Sequence, residues 1–200
     1  MQEIIFKNII DIHAHIYPEK IAPKAVAAIG SFYNLPMEGK GTAPDLAASG
    51  KKAGIEGFVV SSTATTPQQV KSINNFIAGV CSTHPGFIGF GTMHHSFPDP
   101  EAEVERMVML GLKGVKLHPD FQKSEIDHPS MFPLYEALQG KLPILFHIGD
   151  YRMDYSNPLR LARILELFPD LTVIAAHLGA YTVWEEWGET LLEKNVYIDT

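Results

Sequence analysis

The chain has 200 residues, 46% of them apolar, and its 16 Lys and Arg against 23 Asp and Glu leave a net charge of −7. That composition excludes a disordered chain and suffices for a sizeable core, so residues 1–200 are read as a single domain. An acidic chain without a basic run lacks the electrostatic footprint of a nucleic-acid or anionic-membrane binder, which makes a small molecule the expected partner.

Short β-rich runs alternate with longer helical patterns from end to end. In chain order the predicted strands are Ile9–His15, Ile55–Ser61, Phe87–Met93, Gly114–His118, Pro143–His147, Leu171–His177 and Val196–Asp199. Helical spacing of Val104, Met107 and Val108 predicts a helix over 100–110, and Leu161, Ile164, Leu165 and Phe168 predict another over 158–168 with Asn157 as its cap. Gly111 and Gly140 stand where helices should end, and Trp184 and Trp187 fall in an apparent helix as packing residues. Strand and helix in regular alternation argue for a parallel sheet, because parallel neighbours need crossovers. Pattern alone leaves an open sheet and a (β/α)8 barrel both standing. The absence of a glycine-rich phosphate fingerprint and the gathering of histidines at strand C-termini favour the barrel, where all those ends meet on one face.

The histidines carry the chemistry. His13 and His15 are two apart on the first predicted strand, so both imidazoles project to one side, a spacing suited to a single metal ion. His147 ends the apolar run Pro143–Phe146 and needs a partner there. His177 ends another apolar run; it is either a further ligand or an uncoordinated acid, base or electrophile beside the ion, and the second role is preferred. Asp11 has the same parity as the first pair and sits deeper. His94 and His95 are adjacent, so at most one is expected at the same mouth, while His84 and His128 precede prolines and read as surface residues. Arg152 follows the fifth strand, where it could pair with a substrate carboxylate or simply be solvated.

Four segments in order, Asp11-Ile12-His13-Ala14-His15, Gly114-Val115-Lys116-Leu117-His118-Pro119, Pro143–His147 and Ala176-His177-Leu178-Gly179, resemble the amidohydrolase superfamily. The order and spacing most resemble the branch that includes aminocarboxymuconate-semialdehyde decarboxylase. The resemblance implies a (β/α)8 TIM barrel holding one divalent ion, zinc first and manganese second, on His13, His15 and His147, with His177 acting near it. It also implies a strand-eight aspartate ligand that has no counterpart here; Asp199 falls in the seventh strand and is read as structural. Lys116 corresponds to a lysine that bridges two metals in binuclear members, although a plain polar contact in the barrel is preferred.

The expected activity is a metal-dependent hydrolase using an activated water, with His177 as acid, base or electrophile. Non-oxidative decarboxylation of a small carboxylic acid is the alternative on the same residues. Rivals of other classes are a catalytically silent barrel lacking its last strand, acting as an interaction protein, and an open-sheet binding module. With the eighth strand missing, strands one and seven would have unpaired edges, covered either by more of a longer chain or by another chain, so a homo-oligomer is a further expectation. The single cysteine, Cys81, can form no internal disulfide and fits a reducing, cytoplasmic compartment. Met1–Lys7 lacks the pattern of a signal peptide, and no stretch nears the ~18 apolar residues of a membrane span.

Overall fold

A computed structural model describes residues 9–192 and 194–200. The strands are β1 (Ile9–His15), β2 (Ile55–Ser61), β3 (Phe87–Thr92), β4 (Gly114–Leu117), β5 (Ile144–Phe146), β6 (Val173–Ala175) and β7 (Tyr197–Ile198). All pair in parallel, in sequence order, as one curled seven-stranded sheet. The helices are α1 (Ala22–Tyr33), α2 (Ala43–Ala53), α3 (Val70–Thr83), α4 (Pro100–Met109), α5 (Pro119–Gln122), α6 (Phe132–Leu138), α7 (Pro158–Leu167) and α8 (Trp184–Leu192). No helix among the described residues is long and apolar enough to cross a membrane.

Each strand of β2 to β6 is almost continuously apolar because both faces are covered, and alternate residues divide between two cores. Phe58, Val60, Val115, Leu117, Ile144, Phe146 and Val173 join the large core that also takes in the helices, whereas Val59, Phe90, Leu145 and Ala176 form a small cluster of their own. This is the arrangement of seven strands of a (β/α)8 barrel, as expected from the sequence. The last strands are shorter than predicted, so that His147 and His177 stand just beyond β5 and β6 rather than within them.

Local signals act as read. Asn157 accepts the backbone N–H of Leu159 at 2.9 Å and caps α7, with Pro158 in the first turn. Gly111 and Gly140 take φ of 80° and 67° just past the ends of α4 and α6. The long excursion between β1 and β2 carries α1 and α2, and its first helix brings Phe32 and Tyr33 over the strand ends.

Candidate metal centre

Burial and strand parity bring His13, His15, Lys116, His118, His147, His177 and Asp199 to the C-terminal side of the sheet. The rings of His13 and His15 lie 5.1 Å apart, that of His177 lies 5.1 Å from His13, and that of His147 lies 5.0 Å from His177. The four sequence-designated histidines therefore form a run of neighbours, His15–His13–His177–His147, although no group of ligand atoms within 4.8 Å of one another includes His15 among the described residues. The nitrogens and carboxylate of His13, His177 and Asp199 lie within 4.8 Å of one another, as do those of His118, Asp120 and His147.

Hydrogen bonds fix which nitrogen each ring offers. His13 Nδ1 is 2.7 Å from Asp199 Oδ2, so it donates its proton to the carboxylate and leaves Nε2 as a lone pair. That lone pair meets Lys116 Nζ at 2.9 Å. Lys116 is wholly buried, and burial pushes its pKa down to about 7, with Asp199 the opposing influence. Its amine is thus a positive or proton-donating group standing where His13 would meet a cation. His15 Nδ1 lies 3.3 Å from Ser61 Oγ.

On His147, Asp120 Oδ2 is 3.3 Å from Nε2, yet His147 Nε2 and Asp120 Oδ1 are both buried without a hydrogen-bond partner. The carboxylate favours the proton on Nε2, which leaves Nδ1 as the lone pair and makes His177 Nε2–H the donor across their 3.1 Å contact. Burial, then neighbouring positive groups, holds every one of these rings neutral: His13 is pushed down to about 2 and His177 to about 3, while His15 and His118 fall well below the ordinary histidine value. For His147, burial lowers the value while Asp120 opposes. Neutral imidazoles are what a divalent ion of borderline softness binds, and here the His13 Nε2 and His147 Nδ1 lone pairs are taken by Lys116 and His177, which an ion would have to displace.

The second three-residue group does not fit a shared ion. His118 and His147 are stacked, 7° from parallel with centroids 4.0 Å apart. Lone pairs lie in the ring planes, and two planes held parallel at that spacing cannot both contain one ion. His118 is instead the middle of a stack whose other face carries Phe121 at 3.7 Å and 3°.

Backbone strain is concentrated beside the site. His177, Leu178 and Gly179 take φ of 60°, 57° and 82°, three left-handed residues in a row directly after β6. Asp199 Oδ1 accepts the His177 backbone N–H, and Trp184 Nε1 donates to the His177 carbonyl at 2.9 Å, so both backbone groups of His177 are held. Trp184 is therefore half-exposed and attached to the site by its indole N–H, not a core packing residue; the Trp187 side chain falls outside what is described.

Asp199 does more than its sequence reading as a structural residue indicated. It is buried, joins the His13 and His177 group, and orients both. Its signal was an acid ending a strand that is otherwise apolar. Asp11 accepts the backbone N–H of His13 at 2.9 Å. His94 and His95 do not diverge as adjacency suggested: a turn follows β3, and their rings lie 4.2 Å apart. His94 Nδ1 accepts from Ser96 N, and neither ring touches the central histidines. The Arg152 guanidinium is taken by Asp150, at 2.8 Å and 2.5 Å to its two oxygens, and stacks 4.5 Å over Phe32. An apolar cavity of about 740 Å³ opens between α1 and α3, with Ile21, Ile29, Phe76, Asp120 and Phe121 in its wall; it borders the site through Asp120 and Phe121, and no histidine lines it.

Comparison with known proteins agrees with the fold. A family model described as amidohydrolase matches residues 10–200. Three solved structures share the fold at low identity. A structure described as an amidohydrolase from Staphylococcus aureus is 16% identical with a TM-score of 0.67, over 96% of this chain and 78% of that one. A dihydroxybenzoic acid decarboxylase from Polaromonas sp. JS666, with bound manganese and the inhibitor 2-nitroresorcinol, is 14% identical with a TM-score of 0.65, over 96% and 78%. A 4-oxalomesaconate hydratase from Rhodopseudomonas palustris is 21% identical with a TM-score of 0.64, over 96% and 74%.

Proposed function

The chain belongs to the amidohydrolase family, and we propose that it works there as a cytoplasmic metal-dependent hydrolase of a small molecule. The observation that carries this reading is the convergence of His13, His15, His147 and His177, all held neutral, at the C-terminal ends of parallel strands. His13, His15 and His147 hold one divalent ion, zinc in preference to manganese. Such an ion lowers the pKa of water and polarises a carbonyl oxygen.

The chain's own residues do the rest. Asp199 keeps the His13 proton on Nδ1, so Nε2, which now accepts from Lys116, is the nitrogen that an ion would take. Asp120 does the same for the Nδ1 lone pair of His147. His177 is the proton carrier: its backbone is fixed by Asp199 and Trp184, its ring is neutral, and its Nε2 proton, donated to His147 Nδ1 at 3.1 Å, would be released to the substrate once an ion takes that lone pair. A proton held there can be given to a leaving group or to developing negative charge. The apolar cavity, which borders the site through Asp120 and Phe121, supplies room for the body of a small substrate.

Two variations rest on specific observations. Decarboxylation of a small acid on the same residues is supported by the manganese-containing decarboxylase that shares this fold. A ligand set of His13, His177 and Asp199 is supported by their mutual approach within 4.8 Å.

The test is elemental metal content and chelator-competed zinc affinity of the wild type and of single alanine variants. His13→Ala should lose the ion under either ligand set. His15→Ala and His147→Ala should lose it while His177→Ala keeps it; the reverse pattern would move the ion to the His177 and Asp199 side. Full stoichiometric zinc in both His13→Ala and His147→Ala would overturn the site.

A further inference from the structure

Tyr33 is the last residue of α1, in the excursion between β1 and β2, and no role described so far uses it. Its hydroxyl lies 2.8 Å from His118 Nε2, its one hydrogen-bond partner among the described residues. The other nitrogen of His118, Nδ1, accepts the backbone N–H of Phe121 at 3.3 Å. A nitrogen that accepts carries no proton, so the single N–H of His118 must be on Nε2. Nε2 is then the donor and the Tyr33 oxygen the acceptor. The phenolic hydrogen is left over, with no acceptor among the described residues.

That hydrogen is held in a defined place. His118 cannot rotate freely between Phe121 and His147, and its backbone N–H is fixed to Gln122 Oε1 at 3.0 Å. The Tyr33 ring centre is 6.1 Å from that of His147 and 5.6 Å from that of Tyr181, whose ring is in turn 5.2 Å from His177. Nearby Asp150, whose two oxygens accept from Arg152, makes no hydrogen bond with the Tyr33 hydroxyl. The end of α1 is itself pinned, since Arg152 also donates to the carbonyl of Phe32 and stacks on its ring.

We propose that Tyr33 contacts the substrate, donating its free O–H to an anionic oxygen of an organic acid held over His147 and His177, and that His118 is the positioning residue that turns this hydroxyl outward. This rests on the preceding reading only in placing the substrate at the histidines. The donor comes from the β1–β2 excursion, not from a strand end, so it is a specificity element that the barrel itself does not supply.

The experiment has two parts, both run on metal-free as well as zinc-loaded protein. Nitrogen-15 NMR of the imidazoles reads the His118 tautomer, and titration with benzoate, a small planar acid, reads the affinity of wild type and Tyr33→Phe. We expect an Nε2–H tautomer in the wild type and a roughly tenfold weaker benzoate affinity in Tyr33→Phe, with zinc affinity unchanged. An Nδ1–H tautomer, an unaltered benzoate affinity in the variant, or no benzoate binding by the wild type would each overturn the proposal. Should Tyr33→Phe fail to fold, the wild-type tautomer decides. Failure of the wild type to bind zinc would count against the metal reading alone, because the tautomer and the metal-free titration stand without it.

Discussion

At the level of single residues, the site is organised by carboxylates that decide where protons sit. Asp199 is the clearest case, since one oxygen takes the His13 proton and the other the His177 backbone N–H. Losing such a partner typically costs about 10–100-fold in metal affinity. Asp199→Ala should therefore weaken zinc by that factor if Asp199 only orients His13, and abolish binding if it is a ligand; chelator competition separates the two, and unchanged affinity would refute both. Lys116 makes the opposite prediction. A wholly buried amine is costly, and its 2.9 Å contact with His13 offsets only part of that. Lys116→Met, close in shape and free of charge, removes the buried amine but leaves His13 Nε2 without its donor, and it should raise the stability of the metal-free protein if the amine's burial is the larger cost. Urea midpoints measured at neutral pH check this, and a lower midpoint for the variant would show that the amine is well compensated. Parity made the His13 and His15 pair legible in the sequence, because a strand puts alternate residues on one side. The Tyr33–His118 and His118–His147 contacts were not legible, since they join residues separated by tens of positions whose approach no local pattern encodes.

At the level of elements, the strands could be read because β2 to β6 are buried on both faces and so are continuously apolar. Their ends were read too long: His147 and His177 follow apolar runs without a break in composition, but the ladder stops before them. The sharpest departure is at 177–179, where left-handed backbone replaces the expected strand end and aims His177 inward. The loops after β4 and β5 are tied together by Arg160, which reaches Asp127 at 2.6 Å and Glu125 at 3.0 Å, with Arg163 on the second oxygen of Asp127 at 2.8 Å. Partial burial pushes the Asp127 pKa up, but the hydrogen bonds from Arg163 and Arg160 pull it below its usual value. A carboxyl lowered by folding adds stability above its unfolded pKa and loses it as pH falls through the folded one. Asp127→Asn should thus be less stable than wild type at pH 7, with the gap closing below pH ~4. Urea unfolding at both pH values measures it; a gap that persists in acid would mean that the charge is not its source. The β5 and β6 loops also meet at Gly149, whose φ is 79° and where a Cβ would come within 2.6 Å of the Ala180 backbone. No side-chain shift can relieve a clash with backbone, so Gly149→Ala should displace the His147 and His177 loops from each other and depress metal affinity together with stability. An unperturbed zinc affinity in that variant would show that the loops can separate without moving the site.

At the level of the whole molecule, the curl of the sheet brings distant histidines together, yet it leaves two edges. Among the described residues β1 and β7 each pair on one side only. The apolar side chains there are open: Ile10 is 52% exposed, Ile198 54% and Tyr197 65%, with Ile12 also exposed. An uncovered parallel edge presents unpaired N–H and C=O groups beside apolar surface, which is a template for pairing with another chain. No proline or lysine lies within either strand to discourage it. The 200-residue chain by itself should therefore associate, and the contact should run through these edges. Sedimentation equilibrium over a hundredfold concentration range should give a weight-average mass rising above that of one chain, and thermal midpoints should rise with concentration, since association stabilises the folded form by mass action. Ile10→Lys combined with Tyr197→Lys puts charge on both edges at exposed positions and should return the mass toward one chain, leaving the histidine cluster in place. A monomer at every concentration in the parent chain would mean that the edges are satisfied in another way, and an associated lysine variant would place the contact elsewhere on the surface.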